Sequence, residues 1–175
     1  MLLAAALACA TLAALAPAAA AARCSGSGAR PGQVSPRKLG NATRCLVNRE
    51  RAQRGLRRLR ESRRLSLAAR RHARDMALHN YFSHRSLSGA TFLDRIRRTG
   101  YLQGAGYWTV GENIAWGEGR LASPREIVRA WMRSPGHREN ILARRFRQIG
   151  LGVSPGTPVP GIGGATYVHT FGARS

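Results

Sequence analysis

Acidic residues are scarce in this 175-residue chain: 8 Asp and Glu stand against 29 Lys and Arg, a formal net charge of +21. Lysine is almost absent; Lys38 is the only one, so 28 of the 29 basic residues are arginine. No C-x-x-C, H-E-x-x-H or G-x-S-x-G signature occurs, which removes the short motifs that name a redox dithiol, a zincin or an α/β-hydrolase. Zinc-finger spacing and an RNP-like aromatic pattern are also missing, so charge alone would have to carry any nucleic-acid binding. No internal repeat runs at solenoid periods. What remains is a surface attracted to any polyanion: nucleic acid, acidic wall polymer or anionic lipid. A heavy Arg bias with abundant Ala and Gly is also what a GC-rich genome writes, so composition by itself names no ligand.

Residues 1–22 carry no charge and are nearly all Ala and Leu, ending in A-x-A steps at Ala18–Ala20 and Ala20–Ala22. The run reads as a secretory signal peptide. Its start has no Lys or Arg, which leaves a signal anchor as the alternative. Arg23 ahead of Cys24 argues against a lipoprotein. Cleavage removes Cys9 and leaves Cys24 and Cys45, an even pair in an oxidising compartment, where one disulfide is expected rather than two free thiols. It would close a loop of about twenty residues and add roughly 3 kcal/mol in the chain-entropy model. The mature protein is expected outside the cell or at its envelope, as a monomer with no transmembrane helix.

Residues 23–42 are rich in Gly, Ser and Pro and read as a flexible linker, with a domain over 43–173. Asn41-Ala42-Thr43 matches a glycosylation sequon, or Thr43 caps a helix. Helices are expected over Arg44–Gln53, over Ser66–Asn80, and in TFLDRIRRTG, which stops at Gly100. A fourth opens on Ser123-Pro124-Arg125-Glu126, a capping box with proline at the first position, and buries Ile127, Val128 and Trp131. It must end near Ser134 because Pro135 disfavours helical geometry before it; Ser134 can then cap the next helix. Strands are expected at Gly111–Trp116, Gln148–Val153 and Ala165–Phe171, the last two joined by a loop over 154–164. The class is α+β, with the sheet packed between helices.

The out-of-place polar residues lie where these elements begin or end: His84 in YFSHRS, Glu112 and Asn113 after Gly111, His137 and Glu139 after Pro135. Such junctions are where functional side chains tend to be presented. In the first turn of its helix, His137 meets a positive potential that disfavours imidazolium and keeps the ring neutral. A neutral imidazole can act as a base or bind a metal; a histidine that merely bonds within the fold is the plain alternative. His72 and His79 read as surface or helix-contact residues, His169, Trp116 and Trp131 as core, the arginines from Arg49 to Arg74 as a solvated face, and Asn113 as securing a turn.

The segments NRERAQRGL (48–56), LAARRHARDMA (67–77), YFSHRS (81–86), DRIRRTGY (94–101), GENIAWG (111–117), AWMRSPGHRENIL (130–142), IGLGV (149–153) and YVHTFG (167–172) occur in succession. Together they resemble the bacterial branch of the CAP superfamily, also called SCP domains. The resemblance implies an α-β-α sandwich, secretion, and a central cavity lined by two histidines and two acids, where the histidine pair can bind a divalent metal such as zinc. By motif, His84 matches the first cavity histidine, Glu112 the acid of the GEN motif, and His137 the second histidine. The position of the second acid holds Ser134, and Glu139 has no motif match that would make it the replacement. The implied ligand cavity is therefore His84, Glu112, Ser134 and His137, with His84 and His137 as metal ligands. The first functional reading is a secreted module binding a metal, small ligand or lipid. Its alternatives are a hydrolase using His84, Glu112 and His137, with Ser83, Ser86 or Ser134 near the motif, and a basic protein binding a wall polymer by charge. Binding is preferred over turnover.

Overall fold

A computed structural model describes residues 24–175; the expected signal peptide lies outside them. In chain order the elements are α1 (Pro36–Ala52), β1 (Arg60–Glu61), α2 (Arg63–Leu78), α3 (Phe92–Arg97), β2 (Trp108–Glu118), a 3₁₀ turn (Gly119–Ala122), α4 (Pro124–Arg133), α5 (Pro135–Leu142), β3 (Gln148–Pro155) and β4 (Gly164–Arg174). The four strands form one sheet in the order β1-β3-β4-β2. β4 pairs antiparallel with β2 and β3, in registers that set Asn113 opposite His169 and Leu151 opposite His169. The two-residue β1, which periodicity could not announce, pairs parallel with the start of β3.

Alternate residues of the strands serve opposite faces. Ile149, Leu151, Tyr167 and Phe171 pack with Leu39, Leu46 and Val47 of α1 and with Ile127, Val128 and Trp131 of α4. On the other face, Ile114 and Val168 meet Ala69, Ala73 and Met76 of α2. The result is the expected α-β-α sandwich. α2 approaches this closely because β3 is bare at two points. A Cβ on Gly150 would lie 2.2 Å from the backbone of Leu65, and one on Gly152 would lie 2.3 Å from that of Ala69.

Residues read from composition as linker are built into the domain. Cys24 is buried and bonded to Cys45, with Cα atoms 5.6 Å apart. Ser35 caps α1, Pro36 takes its first position, and Leu39 and Ala42 are buried. Thr43 is therefore inside α1, not at its start; its hydroxyl donates to the Leu39 carbonyl. The predicted box at Ser123 is not formed through the side chain. Glu126 turns instead to Arg129 at 2.8 Å. A full capping box does occur at α3, between Thr91 and Asp94. Trp131 is core, whereas Trp116 is 36% exposed on the edge strand. The arginine face has one inward member: Arg51 is buried and donates to the carbonyls of Arg57, Ile141 and Ala143.

β2 is an outer strand, and α4 and α5 close part of its rim. The carbonyls of Glu112 and Ile114, two residues apart and so directed the same way, accept from Asn140 Nδ2 at 3.3 Å and from Trp131 Nε1 at 3.1 Å.

Candidate functional site

The loop after α2 turns sharply at Asn80, whose φ of 54° is left-handed, a conformation asparagine tolerates at helix ends. Two bonds then fix its path. His72 Nε2 donates to the Ser83 carbonyl at 2.8 Å, and Arg95 Nη2 donates to the His84 carbonyl at 3.0 Å. His72 is thus a buried loop anchor, not a surface residue, and burial is the main cause that lowers its pKa. With the backbone fixed, the His84 ring reaches over β2. Its Nδ1 lies 2.9 Å from Glu112 Oε1, while half of the side chain remains exposed.

Glu112 does not open to solvent; its side chain is 1% exposed. Arg95 Nη2 lies 2.9 Å from each carboxylate oxygen. The remaining Arg95 contacts are Ser86 Oγ and the Ala90 carbonyl, both at 3.1 Å. A carboxylate gripped by guanidinium can only accept, so the imidazole Nδ1–H donates to it. That fixes the His84 tautomer and leaves Nε2 as the basic nitrogen.

His137 arrives from α5. The Asn113 side chain, fully buried in β2, donates to the His137 carbonyl at 2.9 Å, and Asn140 donates to Asn113 Oδ1 at 2.9 Å. Asn113 thus ties a helix to the sheet and makes no turn. The His137 pKa is lowered, first by burial and then by its electrostatic interaction with His84. The direction matches the sequence reading, but burial and the second histidine supply it. Behind His137, the Trp131 ring centroid is 6.5 Å away, and on toward the core His169 lies 4.8 Å from Trp131. His169 is completely buried, its pKa pushed down to about 3, and neither ring nitrogen has a hydrogen-bond partner among the described residues.

Ser134 sits at the α4–α5 junction and forms no side-chain cap bond. Glu139 points away, 71% exposed and 3.5 Å from Arg145. Among the described residues no seryl hydroxyl bonds to an imidazole: Ser83 Oγ accepts from the Arg85 amide, and Ser86 Oγ accepts from Arg95. No group of three or more His, Cys, Asp or Glu able to hold a metal occurs among them either. The donors facing solvent are two imidazoles, with Glu112 behind one of them.

The family model of the cysteine-rich secretory proteins, CAP, matches residues 45–168. The chain belongs to the CAP family. Among relatives, Bacillus subtilis YkwD is 42% identical over 107 residues, covering 61% of this chain and 39% of that protein. The B. subtilis membrane protein YlbC is 33% identical over 108 residues, covering 62% and 29%. The chain thus spans well under half the length of either. A Bacillus anthracis extracellular protein containing an SCP domain shares 28% identity at a TM-score of 0.60, over 79% of this chain and 43% of that one. An outer surface protein of Borrelia burgdorferi shares the fold at 22% identity and a TM-score of 0.68, covering 81% and 97%.

Within this CAP domain, sequence reasoning passed over Arg95 and Asn140 as parts of the site and took Asn113 for a turn residue. A signal for Arg95 existed. It lies three residues after Phe92 and next to Ile96, which puts it on the side of α3 that turns inward.

Proposed function

We propose that this CAP domain works outside the cell, using His84 and His137 to hold a divalent metal such as zinc with a small ligand beside it. The observation that carries the reading is the His84–Glu112 bond at 2.9 Å on a ring that is half exposed. A carboxylate behind a ligating imidazole fixes its tautomer and raises its basicity. Arg95 occupies both oxygens of Glu112, so the acid orients His84 and does not itself ligate. The lowered pKa of His137 keeps a second neutral imidazole available. An ion held by two imidazoles keeps open positions for a ligand and would supply Lewis acidity there. A location outside the cell is supported by the B. anthracis relative, described as extracellular, and by the Cys24–Cys45 disulfide. No helix among the described residues is long and apolar enough to cross a membrane.

Calorimetric titration of zinc into the wild type and a His84→Ala/His137→Ala variant tests the reading. Saturable wild-type binding should be lost in the variant and should weaken below about pH 6.5, where imidazole protonates. Superimposable isotherms reject the site. Binding that vanishes with salt in both proteins points to charge alone.

A further inference from the structure

Arg95 has a second role to fill. Besides gripping Glu112, it lines a cleft of about 260 Å³ between α2 and the loop leading into α3. Three guanidinium groups, Arg71, Arg95 and Arg98, border this cleft, together with Ser86 and Ser88. Only one carboxylate, Asp75, shares the wall, and it is already engaged by the Tyr81 hydroxyl and by His79 Nδ1 at 2.9 Å. Arg71 and Arg98 lie on the exposed side and form no side-chain hydrogen bond or ion pair with any described residue. Arg95 is 8% exposed, and its Nε–H is buried without a partner among the described residues.

A buried donor without an acceptor is uncommon, because its desolvation is not recovered. The cleft that Arg95 lines also carries the unpaired guanidinium groups of Arg71 and Arg98 and two serines, Ser88 exposed and Ser86 held between Arg95 and the Tyr81 hydroxyl. Guanidinium forks and hydroxyls together suit a tetrahedral oxyanion, since Arg binds phosphate through paired donors. We propose that this cleft is a phosphate-binding site, distinct from the His84–His137 pair. The phosphate is carried either by a small monoester or by a phosphodiester polymer. The site and the metal reading stand or fall separately, because neither Arg71 nor Arg98 touches His84 or His137.

The test must separate this cleft from the general charge of the chain. Glycerol 3-phosphate, diglyceryl phosphate and acetate are titrated calorimetrically into the whole protein at 150 mM salt and pH 7.5. The expected result is saturable 1:1 binding of a phosphate ester and none of acetate. Arg71→Gln/Arg98→Gln should weaken it at least tenfold. Arg57→Gln/Arg144→Gln, which removes the same charge from exposed positions outside the cleft, should change it less than twofold. All four arginines are exposed, so unchanged melting curves are expected for both variants. Stronger binding of the monoester assigns a small ester, and stronger binding of the diester assigns a polymer; either result supports the site. Equal losses in the two variants, unsaturable binding, or acetate binding as well as the esters overturns it.

Discussion

Arg95 and Glu112 form an ion pair that solvent barely reaches, one guanidinium nitrogen lying 2.9 Å from both carboxylate oxygens, with side chains 9% and 1% exposed. The pair joins α3 to β2, and through the His84 carbonyl it also holds the loop that carries the first histidine. The position of His84 therefore depends on a guanidinium buried behind it.

Removing one member of such a pair strands the other. Arg95→Leu should destabilise the domain by about 3–5 kcal/mol, the usual cost of an uncompensated buried charge. Arg95→Leu/Glu112→Leu should lose less than Arg95→Leu alone, because no charge is left without a partner. Urea unfolding of the wild type, Arg95→Leu, Glu112→Leu and the double variant measures this. A double variant as unstable as the sum of the singles would show that the two side chains contribute independently.

Acid should unfold this protein early. Three histidines have pKa values below the ordinary 6.5: His169, pushed to about 3 by burial, and His72 and His137, lowered chiefly by burial. Each takes up a proton in the unfolded chain before it does in the folded one. The unfolded state therefore binds more protons, and stability falls with pH, for His169 from about 6.5 down to about 3. Each histidine contributes up to about 1.4 kcal/mol per pH unit within its window. His169→Phe should flatten the dependence between pH 6 and 5 by close to one proton, read from urea midpoints across that range. An unaltered slope would show that His169 takes its proton without unfolding the chain.

The two glycines under α2 should tolerate no side chain. Gly152→Ala puts a Cβ 2.3 Å from the Ala69 backbone, and neither helix nor sheet can yield locally, so a loss of about 3 kcal/mol or more is expected. Gly163→Ala, in the β3–β4 loop with nothing within 4 Å of its Cβ position, should stay within about 0.5 kcal/mol of wild type. Thermal melts of the two variants decide it; comparable melting temperatures would mean that α2 can lift from the sheet.

Local chemistry made much of this architecture readable. Gly100, Pro124 and Pro135 mark helix ends because their effects act on the backbone beside them, and His84 and His137 stood out as polar residues at element junctions, whereas Glu112, read as lying at the start of a strand, is inside β2. Composition misled where it was averaged. The Ser–Pro pair at 35–36 opens α1 just as the pair at 123–124 opens α4, but Gly and Ser upstream concealed it. Arg95 and Arg51 were hidden for another reason. Among 28 arginines nothing in the residue type separates a buried one from a solvated one; which of them turns inward is decided by carbonyls and a carboxylate distant in the chain.

Outer strands invite a neighbour's strand to dock, since their unpaired amides and carbonyls form a ready template. Where Trp131 and Asn140 cover the Glu112 and Ile114 carbonyls, that template is already occupied from within. A second molecule offering an extended backbone there would have to evict an indole and a carboxamide first. The middle of β2 can thus lie beside the half-exposed His84 ring, at whatever crowding the protein meets, without becoming a seam for aggregation.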